Sequence, residues 1–314
     1  MNIRFWGVRG SVPTPMTNDK LQEKITQIIQ RITPEDIASP QSRLDFFKSL
    51  PDWLKSTAGG NTPCVELTSK KGSKFVFDAG TGIRVLGKEG EVPSDYHYNL
   101  FFSHFHWDHI QGLPFFDQIY NPRVTIDVYS PFADMEYYLR NQMIGPYYPV
   151  NFDSVIKNFR FHVVEPGVSF NVDGLDVTCI KMSHPGDSFS YSVEEDGKKF
   201  VYATDVELRS SDFVQTEGRR CVFENADLMI IDSQYTVEEA IKKENWGHSA
   251  FCYGIDFAAN WKARNLYLFH HEPMYDDRKL NMILESARWY SEYICEDACE
   301  VKVHLAVEGL EVQV

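Results

Sequence analysis

Ser103-His104-Phe105-His106-Trp107-Asp108-His109 stands directly behind the apolar run Asn99-Leu100-Phe101-Phe102. Four side chains able to hold a metal fall within the six residues from His104 to His109. In extended backbone His104 and His106 point to the same side, whereas Asp108 and His109 fall where the chain turns into a helix near Ile110. One strand end therefore offers ligands to two adjacent metal ions. A structural role would require burying three imidazoles beside an unpaired carboxylate, which is costly. The ligand reading is the stronger one.

Outward from this stretch, β-rich runs recur at Asn2–Trp6, Cys64–Thr68, Lys74–Phe77, Asn99–Phe102 and Val124–Tyr129. Each is bounded by Gly, Pro, Asn or Asp. Further runs at Leu175–Met182, Phe189–Val193, Phe200–Ala203, Leu228–Ile231 and Leu266–Phe269 repeat the pattern with helical segments between them. The alternation predicts an α/β layered domain built from two similar halves. Thr236-Val-Glu-Glu239 reads as a capping box, and Asp277 as the cap of a helix with Leu280, Ile283, Leu284 and Ala287 on one face. Between Pro15 and Gly59, Leu21, Ile25, Ile28, Ile29 and Ile32 fall at helical spacing, as do Leu44, Phe47, Leu50 and Leu54. That segment is expected to be a helical pair packed on the core, with a lid or subunit contact as its alternative.

H-x-H-x-D-H is the signature of the metallo-β-lactamase superfamily, which the chain resembles over nearly its whole length. The resemblance implies a four-layer αββα sandwich formed by one domain over residues 1–314, with a helical insertion at 16–58. It also calls for a His, an Asp and a His at later strand ends. His184 follows Val177–Met182, Asp205 follows Phe200–Ala203, and His270 follows Leu266–Phe269. By resemblance His104, His106 and His184 hold one divalent ion, Asp108, His109 and His270 hold a second, and Asp205 bridges them. Zinc is expected, with manganese or iron as alternatives for imidazole and carboxylate donors. Phe77-Asp78-Ala-Gly-Thr-Gly82 matches the family's strand-end Asp motif, so Asp78 is expected to support the ligand loop by hydrogen bonding. His271 is read as structural or as support for a ligand.

Within the family, His106 stands where the diiron oxygen-reducing branch has Glu, and Asp205 where many true β-lactamases have Cys. Gly7–Pro15, Gly59–Glu66 and Trp246-Gly-His248-Ser-Ala resemble the RNase Z and cyclic nucleotide phosphodiesterase branch. Ile231-Asp232-Ser-Gln-Tyr-Thr236 resembles that branch's acidic motif, with Asp in place of Glu. These likenesses imply in-line attack on phosphorus by hydroxide held between two metals, positioned by Asp108. His248, charged by Asp232, would assist the leaving oxygen. The alternative for Asp232 is a cap on the nearby helix. Arg9, Asn61 and Tyr235 are candidate substrate contacts, set against ordinary turns and a buried tyrosine.

The 45 acidic and 31 basic residues give a net charge of −14, which opposes a large polyanion, and no Gly- and Lys-rich arm is visible. The expected partner is therefore a small phosphodiester such as a cyclic nucleotide, with no large nucleic acid and no membrane. A homodimer is expected from the family and from the insertion's apolar faces. The start lacks a signal peptide, and no run approaches the ~20 apolar residues of a membrane span, so a cytoplasmic location is expected. Six scattered cysteines, at 64, 179, 221, 252, 295 and 299, are expected to be reduced, and Cys295 and Cys299 with His304 make too few ligands for a zinc clip. Hydrolysis of a thioester, lactone or other carbonyl electrophile is the competing activity, and a ligand-sensing protein that does no catalysis is the third reading.

Overall fold

The computed structural model describes residues 1–294 and 301–314, so Cys295 and Cys299 lie outside the described residues. Six strands, β1 (Asn2–Gly7), β2 (Cys64–Thr68), β3 (Lys74–Phe77), β4 (His97–Phe101), β5 (Thr125–Ser130) and β6 (Phe159–Val163), form one sheet. A second sheet of seven strands holds β7 (Phe170–Val172), β8 (Leu175–Met182), β9 (Ser188–Glu195), β10 (Lys198–Ala203), β11 (Leu228–Asp232), β12 (Asn265–Phe269) and β13 (Lys302–Leu305). The chain then returns as β14 (Glu311–Gln313), antiparallel to β1, so that the first sheet also has seven strands. Both sheets are mixed. β3 to β6 run parallel in the first, and β10 to β13 in the second.

Aromatic side chains fill the space between the sheets, where Phe5, Phe77 and Phe101 meet Tyr191, Tyr202 and Phe269. On the outer face of the first sheet, the helices Gly82–Glu89 and Met135–Gln142 bury Ile83, Leu86, Met135 and Leu139. Helices Glu217–Phe223, Phe251–Asn260 and Asp277–Ile294 cover the second sheet with Phe223, Phe257, Leu280 and Ile283. Three apolar interfaces thus separate four layers, which is the αββα sandwich. Strands covered on both faces read as continuous apolar runs, and β11 (Leu-Met-Ile-Ile-Asp) is buried at every position. Among the described residues no helix is long and apolar enough to cross a membrane.

Two local readings change. The capping box at Thr236 forms, with Glu239 Oε2 accepting from the Thr236 N–H at 3.0 Å. The last long helix is instead capped by Asp276, whose Oδ1 accepts from Lys279 N at 2.7 Å. Asp277 is drawn away to accept from Ala58 N at 2.9 Å and to pair with Lys24 at 2.5 Å. The insertion forms helices at Asn18–Ile29, Pro40–Ser49 and Asp52–Lys55, yet the first two bury no residue. Ile29 is 62% exposed and Phe47 is 50% exposed, so the expected packing of this pair on the core does not occur. Leu50, Leu54 and Ala58 anchor the segment, and Leu21, Ile25, Ile29, Leu44 and Phe47 stay largely exposed.

The parallel strands end at one edge of the sandwich. β3 delivers Asp78 there, β4 the loop carrying His104 and His106, β10 Asp205, β11 Asp232 and β12 His270. Carboxyl ends of parallel strands are where α/β folds assemble sites, since successive loops converge without interrupting the sheet.

Candidate metal centre

At this edge Asp78, Asp205 and His270 all adopt left-handed backbone, with φ of 59°, 49° and 60°. Such conformations are costly for residues with a Cβ and persist only when neighbours hold them. Asp78 is held by its N–H to Phe101 O at 2.8 Å and by four bonds to its carboxylate. Oδ1 accepts from Ser103 N at 2.8 Å, while Oδ2 accepts from Ser103 Oγ, His109 Nδ1 and Tyr202 OH at 2.7, 2.8 and 2.9 Å. With Nδ1 of His109 engaged in this way, its Nε2 faces the centre.

The same logic orients the other rings. His184 Nδ1 donates to Gly247 O at 2.9 Å, and His270 Nδ1 donates to Gln234 Oε1 at 3.0 Å. His104 Nδ1 is 3.0 Å from Ser103 Oγ. Their Nε2 atoms converge on Asp205, at 3.5 Å for His104, 3.1 Å for His109, 3.2 Å for His270 and 3.9 Å for His184. His106 turns its Nδ1 inward, 3.2 Å from His184 Nε2. Asp108 Oδ2 is fixed by the Ser11 N–H at 2.8 Å and lies 3.2 Å from His270 Nε2.

These atoms form two sets, His104, His106, His184 and Asp205, and Asp108, His109, Asp205 and His270. Within each set the nitrogen and oxygen atoms all lie within 4.8 Å of one another. His104 Nε2 and His109 Nε2 are buried without a hydrogen-bond partner, although carboxylate oxygens are close by. Buried imidazole nitrogens are ordinarily satisfied, so orphaned ones aimed at a shared point fit a cation there. The donor set of imidazole and carboxylate suits zinc, manganese or iron.

The electrostatics carry the same demand. Burial opposes the carboxylate charge of Asp205, but the imidazoles of His109, His270 and His104 outweigh it and hold its pKa well below the usual range. Asp108 is likewise held low, burial being outweighed by His109 and His270. Burial also opposes a proton on His109, yet Asp205, Asp108 and Asp78 raise its pKa well above the ordinary value. Burial lowers His104, His106 and His184, which remain neutral donors of a lone pair. The carboxylates thus require nearby positive charge, and three neutral imidazoles stand ready to ligate it.

Beside the two sets, His248 Nδ1 lies 2.6 Å from Asp232 Oδ2, and its ring stacks on His270 with centroids 4.8 Å apart. Asp232 Oδ1 accepts from Ser249 N at 3.0 Å and Gln234 N at 3.2 Å. Its carboxylate serves this pair and not a helix cap. Burial opposes protonation of His248, but Asp232 dominates and raises its pKa to about 9.

Residues 74–271 match the family described as the beta-lactamase superfamily domain, which is more than half of the chain. The chain belongs to the metallo-β-lactamase superfamily. It is 22% identical over 291 residues to ribonuclease Z of Prochlorococcus marinus (strain MIT 9515), covering 75% of this chain and 91% of that protein. In fold it is similar to the short form of human tRNase Z, with a TM-score of 0.59, 19% identity and coverage of 100% and 99% of the two chains. It is also similar to yeast PDE1, with a TM-score of 0.58, 15% identity and coverage of 100% and 99%. Within the superfamily the likeness is to the RNase Z and phosphodiesterase branch.

The curated relatives overturn the expected partner, a small phosphodiester with no large nucleic acid, because they carry the name of an RNA-cleaving enzyme across most of their length. The net charge of −14 misleads as an argument against nucleic acid because it sums over the whole surface. At physiological salt, screening within about 8 Å leaves a site governed by its own groups.

This superfamily member also uses its amino-terminal segments differently from the expectation of anion contacts. Arg9 Nε donates to Gly59 O at 2.9 Å, and its Nη1 donates to Glu272 O and Tyr275 O at 3.1 and 2.8 Å. Asn61 Nδ2 donates to Glu308 Oε2 at 2.9 Å. Both side chains tie loops together. Tyr235 lies against His248 with ring centroids 5.8 Å apart, and is 2% exposed. His271 is neutral, its pKa pushed down to about 3 by burial and by Arg9, and its Nε2 donates to Ala306 O. Ser11, Ser103, Tyr202, Gln234 and Gly247 all touch ligand-set residues, and sequence reading assigned them no role. Only the two glycine-rich stretches hinted at such crowding. A Cβ on Gly10 would sit 2.5 Å from His270 Nδ1.

Proposed function

We propose that this protein is a metal-dependent phosphodiesterase that hydrolyses RNA phosphodiester bonds. The observation that carries the reading is the Asp232–His248 pair packed on His270, which sets a charged imidazole beside the two ligand sets. Two divalent ions, zinc being the expected metal, held by His104, His106 and His184, by Asp108, His109 and His270, and by Asp205 between them, would supply Lewis acidity and water activated at neutral pH. Asp108, oriented by Ser11 N–H, positions the attacking water and accepts its proton. His248, protonated below about 9, donates to the leaving oxygen, and Asp232 keeps its Nδ1 occupied so that Nε2 faces the substrate. A thioester needs no such donor because its leaving group is already a stable anion, so this pair favours phosphodiesters over thioesters. The name of the curated relatives supports RNA as the diester.

The test is metal content measured on preparations assayed with bis(p-nitrophenyl) phosphate, a single-stranded RNA, cyclic AMP and a thioester. Asp205→Ala is expected to lose metal. His248→Ala is expected to keep it and lose turnover of RNA, whose leaving oxygen is an alkoxide, by about 10²-fold or more, with far less loss on bis(p-nitrophenyl) phosphate, whose leaving group is already a stable anion. Thioester turnover with none on diesters would replace this reading with the carbonyl one. Bound metal with no turnover of any substrate would favour a sensing role.

A further inference from the structure

One exposed indole lies two residues before His248 in the chain. Trp246 is 63% exposed, yet its loop is held from within: Glu207 accepts from Asn245 N and Gly247 N, both at 3.0 Å, and Gly247 O holds His184. The ring is therefore carried on backbone that is hydrogen-bonded on both sides and, through Gly247, touches the ligand set. Lys243 brings its ammonium 5.6 Å from the Trp246 ring and 4.2 Å from the ring of Tyr235, which itself packs on His248. Its nearest carboxylate among the described residues is Glu272 at 3.5 Å, so most of its donor capacity is unspent. Gln234 Nε2 already occupies the same Glu272 oxygen at 2.9 Å.

Resting on the function proposed above, we propose that Lys243 and Trp246 seat the nucleotide next to the scissile bond on the His248 side. The indole stacks on its base and the ammonium contacts its phosphate. Stacking suits a single strand because every base has a π-face, and a lysine ammonium meets phosphate as a point charge whatever the sequence. The seat gives a chain of net charge −14 a local cation where a polynucleotide must pass.

The test is inhibition of bis(p-nitrophenyl) phosphate turnover by a short single-stranded oligonucleotide, measured across a salt series with the metal-reconstituted full chain. Trp246→Ala is expected to raise the inhibition constant about tenfold, with Trp246→Phe restoring most of it. Lys243→Ala is expected to raise it at low salt only, lowering the slope of log affinity against log salt by about 0.7, and Lys243→Arg is expected to restore the slope. An inhibition constant unchanged in Trp246→Ala and Lys243→Ala would overturn the seat, and a salt-independent loss in Lys243→Ala would remove its phosphate contact. If the unsubstituted protein turns over no diester, the proposed function falls separately, and indole fluorescence then decides the seat. Quenching by the oligonucleotide that is lost in Trp246→Ala supports it, and absence of quenching in the unsubstituted protein overturns it.

Discussion

At the scale of the residue, His248 is the group whose surroundings make the sharpest demand on pH. Burial disfavours its charge, but the carboxylate of Asp232, 2.6 Å from its Nδ1, more than compensates and raises its pKa to about 9. The proton it would donate in the proposed reaction is therefore present below that value and lost above it, so kcat/KM is expected to fall as pH rises through about 9. Asp232→Asn leaves the burial and removes the charge, so the alkaline limb should move to or below the ordinary imidazole value near 6.5 with metal content unchanged. A pH–rate profile with a metal assay checks it, and an unmoved limb would remove His248 from the proton step. The same shift has a stability consequence: because the folded pKa is raised, the pair's contribution is complete below the ordinary value and is lost as pH rises through about 9. Gly247 is the second sharp case. It has φ of +90°, and a Cβ there would lie 2.1 Å from His184 Nδ1. Gly247→Ala should displace His184 and lower bound metal, measured by elemental analysis, whereas Gly309→Ala, also at positive φ but in open space, should keep it.

At the scale of the element, the insertion separates what sequence periodicity reveals from what it leaves open. Leu21, Ile25 and Ile29 do fall on a helix, but among the described residues no element buries them, since periodicity records a face and not its occupant. Leu21→Ser and Ile25→Ser should each change stability by less than about 0.5 kcal/mol, because they remove nothing buried. Leu54→Ala, at a side chain 1% exposed, should cost about 2–5 kcal/mol. Urea unfolding measures both, and a large loss at Leu21 would show that the insertion is packed after all. Strand reading fared well wherever strands are buried, as Cys64–Thr68, Lys74–Phe77 and Leu175–Met182 coincide with β2, β3 and β8. It missed β6, β7, β13 and β14, which lie at sheet edges, three to five residues long and partly exposed. Their pairing comes from the neighbouring strand more than from their own pattern. The cap at Asp276 was missed for a related reason, because two adjacent aspartates look alike in sequence until Ala58 and Lys24 claim the second.

At the scale of the whole molecule, the candidate ligands from both sheets meet at their shared edge, so a metal bound there would couple its binding to folding. Asp108 and His109 come from the first sheet, and Asp205 and His270 from the second. A cation held by both would bind the folded chain and not the unfolded one, which stabilises by about 2.7 kcal/mol at a hundredfold excess over Kd. Chelation is expected to lower Tm by roughly 5 °C or more, and calorimetry with and without chelator and with added zinc measures it. An unchanged Tm would mean that the cluster holds no metal.

The sequence by itself determined the layered α/β architecture, the H-x-H-x-D-H loop and the later His, Asp and His at strand ends, because these depend on local spacing and on the order of runs along the chain. Tertiary structure alone decided which atoms meet. Asp78 orients His109 from 31 positions away, Gly247 holds His184 across 63, and Arg9 is spent on carbonyl oxygens up to 266 positions distant. Tertiary structure also left Leu21, Ile25 and Ile29 of the insertion largely in solvent and brought the Lys243 ammonium to 5.6 Å from the exposed Trp246 ring. The physical reason is that a hydrogen-bond direction is fixed by three-dimensional neighbours, whereas a periodic pattern fixes only the face on which a side chain lies.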